Sequence, residues 1–147
     1  PEKGGPADTV IGFDEDDIHE ALSRTAYLLI AAPLTETTVD LIGPAEFDTL
    51  PPEAVLINVS RGGLVVTDAL VDALQRQHLR GAALDVTEPE PLPTDHPLWD
   101  LENVIITPHN AGHTPEHWPR LADIVARNVE HVRETGSYTG LENQIRP

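Results

Sequence analysis

The chain has 147 residues, enough for one domain with a sizeable core, and carries 25 acidic side chains against 9 basic ones. Its formal net charge of -16, with Lys3 as the only lysine, repels nucleic acid and anionic membranes, so neither is an expected partner. The absence of cysteine removes disulfides and thiol catalysis, and no apolar run is long enough to span a bilayer.

The acidic residues are scattered, apart from the short run Asp14 to Asp17, so the composition is that of a folded acidic surface, not a disordered acidic tail. Such a surface suits a high-salt cytoplasm, where cations screen self-repulsion, and residues 1–9 do not read as a signal peptide. A halophilic, cytoplasmic protein is therefore expected. The chain opens on the loop-like PEKGGPADTV, which suggests the later part of a longer protein.

In chain order, residues 1–9 read as a glycine- and proline-rich loop and residues 10–13 as a short apolar piece. Asp14 to Thr25 has acids in its first turn and Ile18, Ala21 and Leu22 at helical spacing. Ala26 to Ala32 is a continuous apolar run that predicts a strand buried on both faces, stopped by Pro33. Short helical pieces are expected over Thr35 to Ile42 and over Pro44 to Leu50, the second opened by proline. Ala54 to Val59 predicts a second buried strand; Thr67 is expected to cap a helix over Asp68 to Gln77. Gly81 to Val86 and Asn103 to Thr107 complete a set of four strands. Thr114 and Pro115 signal a helix running to Thr135, with Leu121, Ile124, Val125, Val129 and Val132 inward and Gly136 as its stop. Buried strands alternating with helices indicate an α/β domain, a parallel sheet with helices on both faces.

The residues with chemical potential stand at strand ends. Arg61 follows the second strand and precedes Gly62-Gly63, so its guanidinium projects from the carboxyl edge of the sheet, where it could grip a carboxylate or simply pair on the surface. Asp85 ends the third strand, and a buried carboxylate there requires a hydrogen-bond donor from protein or ligand. Glu88 and Glu90 sit in a loop stiffened by Pro89, Pro91 and Pro93, as acid/base groups or as solvated charges. His109 follows the fourth strand and is a candidate proton donor at neutral pH, or a structural histidine. His109, His113 and His117 recur every four residues, but Gly112 and Pro115 interrupt a shared helical face, so no metal site is expected.

The segments APLTETT, LINVSRGGLV, GAALDVTEPEPLP, HPLW and NVIITPHNAG, in this order between Ala31 and Gly136, resemble the D-isomer-specific 2-hydroxyacid dehydrogenases. The loop PEPLPTDHPLW is similar to that of glyoxylate/hydroxypyruvate reductases in particular. The resemblance implies the C-terminal half of a Rossmann-type NAD(P)-binding domain over residues 1–136, with residues 137–147 a tail in the direction of a substrate domain. It implies a catalytic trio of Arg61, Glu90 and His109: Arg61 holds the carboxylate of a 2-keto acid, His109 gives a proton to the developing alkoxide, and Glu90 favours the charged imidazole. It further implies NAD or NADP contacts at Ala32, Pro33, Val59, Ser60, Arg61, Asp85, His109, Asn110, Ala111 and Gly112. A homodimer is the family's usual assembly.

No G-x-G-x-x-G phosphate loop occurs in the 147 residues, and most of a substrate domain is missing. Two other readings follow: a non-catalytic dinucleotide-sensing interaction protein, like the corepressors of the same family, and a fragment inactive in isolation. The preferred 2-keto acid and the choice between NAD and NADP are not legible in these residues.

Overall fold

A computed structural model describes residues 9–12 and 14–144, so the expected loop over residues 1–9, with Lys3, falls almost wholly outside the described residues. The chain divides into two compact units at Asn110/Ala111.

The first unit is built on four parallel strands, β1 (Tyr27–Ile30), β2 (Val55–Asn58), β3 (Gly81–Leu84) and β4 (Val104–Ile106), in the spatial order β1-β2-β3-β4. Ile30, Asn58, Leu84 and Ile106 share one register row, so all four strands end together on one edge of the sheet. Three helices accompany them: α1 (Glu15–Leu22), α2 (Pro44–Thr49) and α3 (Thr67–Gln75). Asp14 caps α1 by accepting the Asp17 amide at 3.0 Å, and Pro44 opens α2 while Glu46 reaches back to the Gly43 amide at 2.9 Å. His19 ties the two helices, reaching Thr49 Oγ1 at 2.6 Å and Glu46 at 3.3 Å.

Side chains alternate along each strand, and the inward set packs with the helices. Ile30, Leu56, Ala82 and Leu84 share a core cluster with Leu22 of α1, Phe47 of α2, and Leu70 and Leu74 of α3. The opposite set in this unit is open: Tyr27 is 67% exposed, Leu29 59% and Ile105 66%. The run Ala26 to Ala32 is thus half-exposed in this unit, not buried on both faces, because the three helices pack against the one core that Leu28 and Ile30 join.

Two further expectations are corrected. Thr35 to Ile42 makes one turn and no helix: the Val39 amide donates to the Thr35 carbonyl at 3.0 Å, but Asp40 then takes a φ of 54°, and the Asp40 and Ile42 amides donate to the Gly63 and Leu64 carbonyls at 2.9 and 3.0 Å. Ile42 instead bridges to Val65. Thr67 is not a cap: Val66 holds that position, and the Thr67 hydroxyl donates to the Glu88 carbonyl at 2.7 Å.

The second unit consists of α4 (His117–Thr135) and a tail folded along it. The helix begins with Glu116 as N-cap, two residues beyond the Thr114 cap expected, and ends as expected at Gly136, whose left-handed φ of 66° suits glycine. None of its residues is buried; of those expected inward, Leu121, Val125 and Val129 are exposed and Ile124 and Val132 half-buried. Arg127 holds Glu142 through two hydrogen bonds of 2.8 and 3.1 Å, and Asn128 brackets the Glu142 backbone from both sides.

Candidate functional site

The shared strand row ending at Ile30, Asn58, Leu84 and Ile106 brings four loops to one sheet edge, the usual ligand edge of parallel α/β sheets. Each loop carries residues singled out from the sequence.

β1 runs out through Ala32, half-buried, and Pro33, exposed, whose carbonyl accepts the Thr38 hydroxyl. After β2, the chain turns through Val59, Ser60 and Arg61. The turn is organised by Asn58, only 1% exposed, whose amide donates to the Arg61 carbonyl at 2.8 Å and whose oxygen accepts from the Ser60 amide and hydroxyl at 3.1 and 3.0 Å. Arg61 is exposed, and its Nη1 donates to the Ser60 carbonyl at 2.6 Å. Gly62 then presses against the next loop: a Cβ there would lie 2.0 Å from the Thr87 carbonyl oxygen. Glycine is required here by close backbone approach.

β3 delivers Asp85, 5% exposed, and then the loop carrying Glu88 and Glu90. Glu88 is exposed and contributes its carbonyl to Thr67. Glu90 is turned back: Oε2 accepts the Thr87 amide at 3.4 Å, and Oε1 lies 2.6 Å from Nδ1 of His109. Both peptide bonds preceding Pro89 and Pro91 are cis.

β4 delivers His109 with a left-handed φ of 51°, a conformation that costs roughly 1 kcal/mol or more for a residue with a side chain. Asp85 Oδ1 accepts from Thr107 Oγ1 at 2.5 Å and from the Asn110 amide at 2.9 Å, so it meets the chain on both sides of His109. The buried Asp85 carboxylate thereby finds the donors it requires, one of them the hydroxyl of the exposed Thr107.

Beneath the Glu90–His109 contact lies a cavity of about 300 Å³, walled by Leu92, Trp99 and Ile106, with Asp85, Glu90 and His109 as polar groups. Trp99 is fixed by its indole N–H donating to the Pro93 carbonyl at 2.8 Å. The structure therefore brings Glu90, His109, Asp85 and Asn110 together, and sets Arg61 on the neighbouring strand end, outside the cavity wall. Ala111 and Gly112 belong to the second unit. Among the described residues, no group of three or more His, Asp or Glu side chains is arranged to hold a metal ion.

Sequence reasoning missed Asn58, Thr107 and Trp99. Asn58 had a signal, a single amide inside the apolar run AVLINV, since a buried amide is kept only where it is hydrogen-bonded. Thr107 reads as an ordinary strand residue, and its role depends on Asp85 in the adjacent strand.

The family model describing the D-isomer specific 2-hydroxyacid dehydrogenase NAD binding domain matches residues 2–111. A glyoxylate/hydroxypyruvate reductase B of Pectobacterium carotovorum is 44% identical over 131 residues, covering 89% of this chain and 40% of that protein. A glyoxylate reductase of Thermofilum pendens is 40% identical over 129 residues, covering 87% of this chain and 38% of that protein. Among solved structures, a D-isomer specific 2-hydroxyacid dehydrogenase of Xanthobacter autotrophicus Py2, in complex with NADPH and MES, superposes with a TM-score of 0.79 at 34% identity, covering 90% of this chain and 53% of that one. The chain spans about two fifths of the length of these two reductases. The same strand-end loops lie within the matched segment, and the chain belongs to the D-isomer-specific 2-hydroxyacid dehydrogenase family.

Proposed function

We propose that the protein carrying this chain interconverts 2-keto acids and D-2-hydroxy acids with NADH or NADPH, and that Arg61, Glu90 and His109 carry the chemistry. The observation that supports this most is the 2.6 Å contact between Glu90 and Nδ1 of His109 above an apolar cavity.

That contact supports distinct roles for the two ring nitrogens. With Nδ1–H directed at the carboxylate, Nε2 is left to hold or give up the exchangeable proton. His109 is thus the proton donor to the developing alkoxide during reduction, and the acceptor in the reverse direction. Arg61, exposed on the adjacent strand end, offers a planar fork matched to the 2-keto acid carboxylate. Asp85 offers an acceptor beside an apolar wall, which fits a nicotinamide carboxamide and ring. Ala32, Pro33, Val59, Ser60 and Asn110 line the strand ends where the rest of the cofactor would lie, with Ala111 and Gly112 following. When bound, the nicotinamide supplies the hydride. The 147 residues hold no G-x-G-x-x-G loop to take the cofactor's pyrophosphate. The isolated chain therefore does not turn over substrate, and the active protein is a homodimer in a cytoplasm of high salt.

The test follows reduced-nicotinamide absorbance in concentrated potassium chloride. It compares this chain with a version carrying upstream sequence, using NADH and NADPH against several 2-keto acids. Oxidation by the longer protein alone is expected, with His109→Ala lowering turnover roughly 10²- to 10⁴-fold. Turnover near wild type in His109→Ala would sink the assignment. Cofactor binding without oxidation by the longer protein would point to a dinucleotide sensor.

A further inference from the structure

We propose that Asp85 and Thr107 form a positioning brace that holds His109 in its left-handed backbone conformation and so keeps its imidazole on Glu90. The inference rests on the reading of His109 as proton donor.

Left-handed backbone at a residue with a β-carbon persists only where the surroundings over-determine it. Here the surroundings can be named. The Thr107 amide donates to the Leu84 carbonyl at 2.9 Å, the last rung of the β3–β4 ladder. Two residues on, the His109 amide donates to the Thr107 carbonyl at 3.0 Å, closing a tight turn around Pro108. Asp85 Oδ1 then takes the Thr107 hydroxyl at 2.5 Å before that turn and the Asn110 amide at 2.9 Å after it. One carboxylate oxygen thereby fixes both ends of the Pro108–His109 segment. Asp85 is itself anchored, with its amide donating to the Asn58 carbonyl at 2.9 Å.

The chemistry explains why a carboxylate occupies this place. A hydrogen bond to an ionised acceptor is stronger than one to a neutral group, and burial of Asp85 keeps water from competing for that oxygen. Without the brace, His109 relaxes toward extended backbone, which turns its Cβ away from Glu90. Since the Glu90 contact spans two loops from different strands, an altered backbone at His109 ends it. Thr107 acts through His109 and is a positioning residue; Asp85 positions His109 in addition to its place facing the nicotinamide carboxamide.

The experiment reads the backbone directly. In isotopically labelled wild-type chain, the His109 amide proton gives a strong intraresidue cross-peak to its own α-proton, as expected only at positive φ. Thr107→Val, which removes the hydroxyl at nearly constant volume, is expected to weaken that cross-peak. In the longer, active protein the same substitution is expected to lower kcat about 10²-fold, the order of effect of a misplaced catalytic group, with KM for nicotinamide little changed. Thr107→Ser, which restores the hydroxyl, returns both readouts toward wild type. If Thr107→Val does not fold by circular dichroism, Thr107→Ala is read in its place. An unchanged cross-peak overturns the brace, as does a weakened one with unchanged kcat. Retained turnover in His109→Ala overturns the reading of His109 and leaves the cross-peak result standing.

Discussion

The sheet edge and the α4 tail solve the same problem in different surroundings. In both, a side chain reaches out to hold backbone that no helix or strand holds. At the sheet edge, Asn58 grips the Ser60–Arg61 turn and Asp85 grips the segment around His109, with the bracing residues 1% and 5% exposed. On α4, Arg127 and Asn128 hold Glu142 among exposed groups. Bonds of similar length carry unequal weight. A lost buried bond leaves a desolvated partner, whereas water replaces a lost exposed bond. Fixed geometry is therefore concentrated where candidate chemistry lies, and the α4 tail is held by contacts that solvent and salt can replace.

The largest break in this contrast comes from Arg61→Ala in the active, longer protein. Removing the guanidinium is expected to raise KM for the 2-keto acid and lower kcat, with kcat/KM falling about 10²-fold or more. Arg61→Lys recovers only part, because an ammonium cannot form the paired fork. Steady-state kinetics checks both, and an unaltered kcat/KM in Arg61→Ala would remove Arg61 from the site.

Next in size is Gly62→Ala. The new Cβ would stand 2.0 Å from the Thr87 carbonyl oxygen, a backbone atom that can move only with its loop. A loss of about 3 kcal/mol is expected in denaturant unfolding. The relevant control is Gly63→Ala, whose Cβ meets only the flexible Leu34 side chain at 3.4 Å and should cost far less. Equal costs at the two glycines would show that the loops do not bear on one another.

Asn58→Ala sharpens the contrast from inside. It removes a donor to the Arg61 carbonyl and an acceptor for Ser60 at a site closed to water. Stability is expected to fall by about 2 kcal/mol. Asn58→Asp, of nearly equal size, keeps the acceptor but sets a negative charge against the Arg61 carbonyl, and is expected to do no better. Denaturation midpoints decide the point, and full stability in either variant would show that the turn holds itself.

How much of this was legible in sequence follows from the range of each interaction. The four strands were visible because apolar runs such as AVLINV and NVIIT carry their signal locally. Arg61, Glu88, Glu90 and His109 stand out as polar residues following such runs, and the choice of Glu90 over Glu88 comes from the family resemblance. The braces were not, since Thr107 meets Asp85 only through the β3–β4 register. The helix expected over Thr35 to Ile42 fails because the Asp40 and Ile42 amides pair with the Gly63 and Leu64 carbonyls, a distant contact that periodicity does not encode. The half-exposed β1 and the exposed apolar face of α4 fail for a related reason: an apolar run shows a capacity for burial, while the number of faces covered depends on what packs there.

The smallest effect belongs to the α4 tail, and its sign can be worked out. The Glu142 carboxyl is held below the ordinary carboxylate range, first by its hydrogen bonds from Arg127, against a smaller opposing effect of desolvation, and then by the Arg127 charge. A carboxyl lowered in the folded state contributes stability that is whole above its ordinary range and is lost as pH falls through the lowered value. Arg127, raised chiefly by the same hydrogen bond, stays charged throughout that window and adds no second transition. Acidification should therefore release residues near Glu142 while the sheet unit stays folded. The amide of Glu142, which donates to Asn128 at 2.8 Å, is the reporter, and its hydrogen exchange, corrected for the intrinsic rate, should quicken toward acid pH and in concentrated salt. Glu142→Gln should show fast exchange at every pH and no change in the unfolding midpoint of the sheet unit. A Glu142 amide as protected in acid and in salt as it is at neutral pH would place this contact among the buried braces, and the contrast between the two regions would fall.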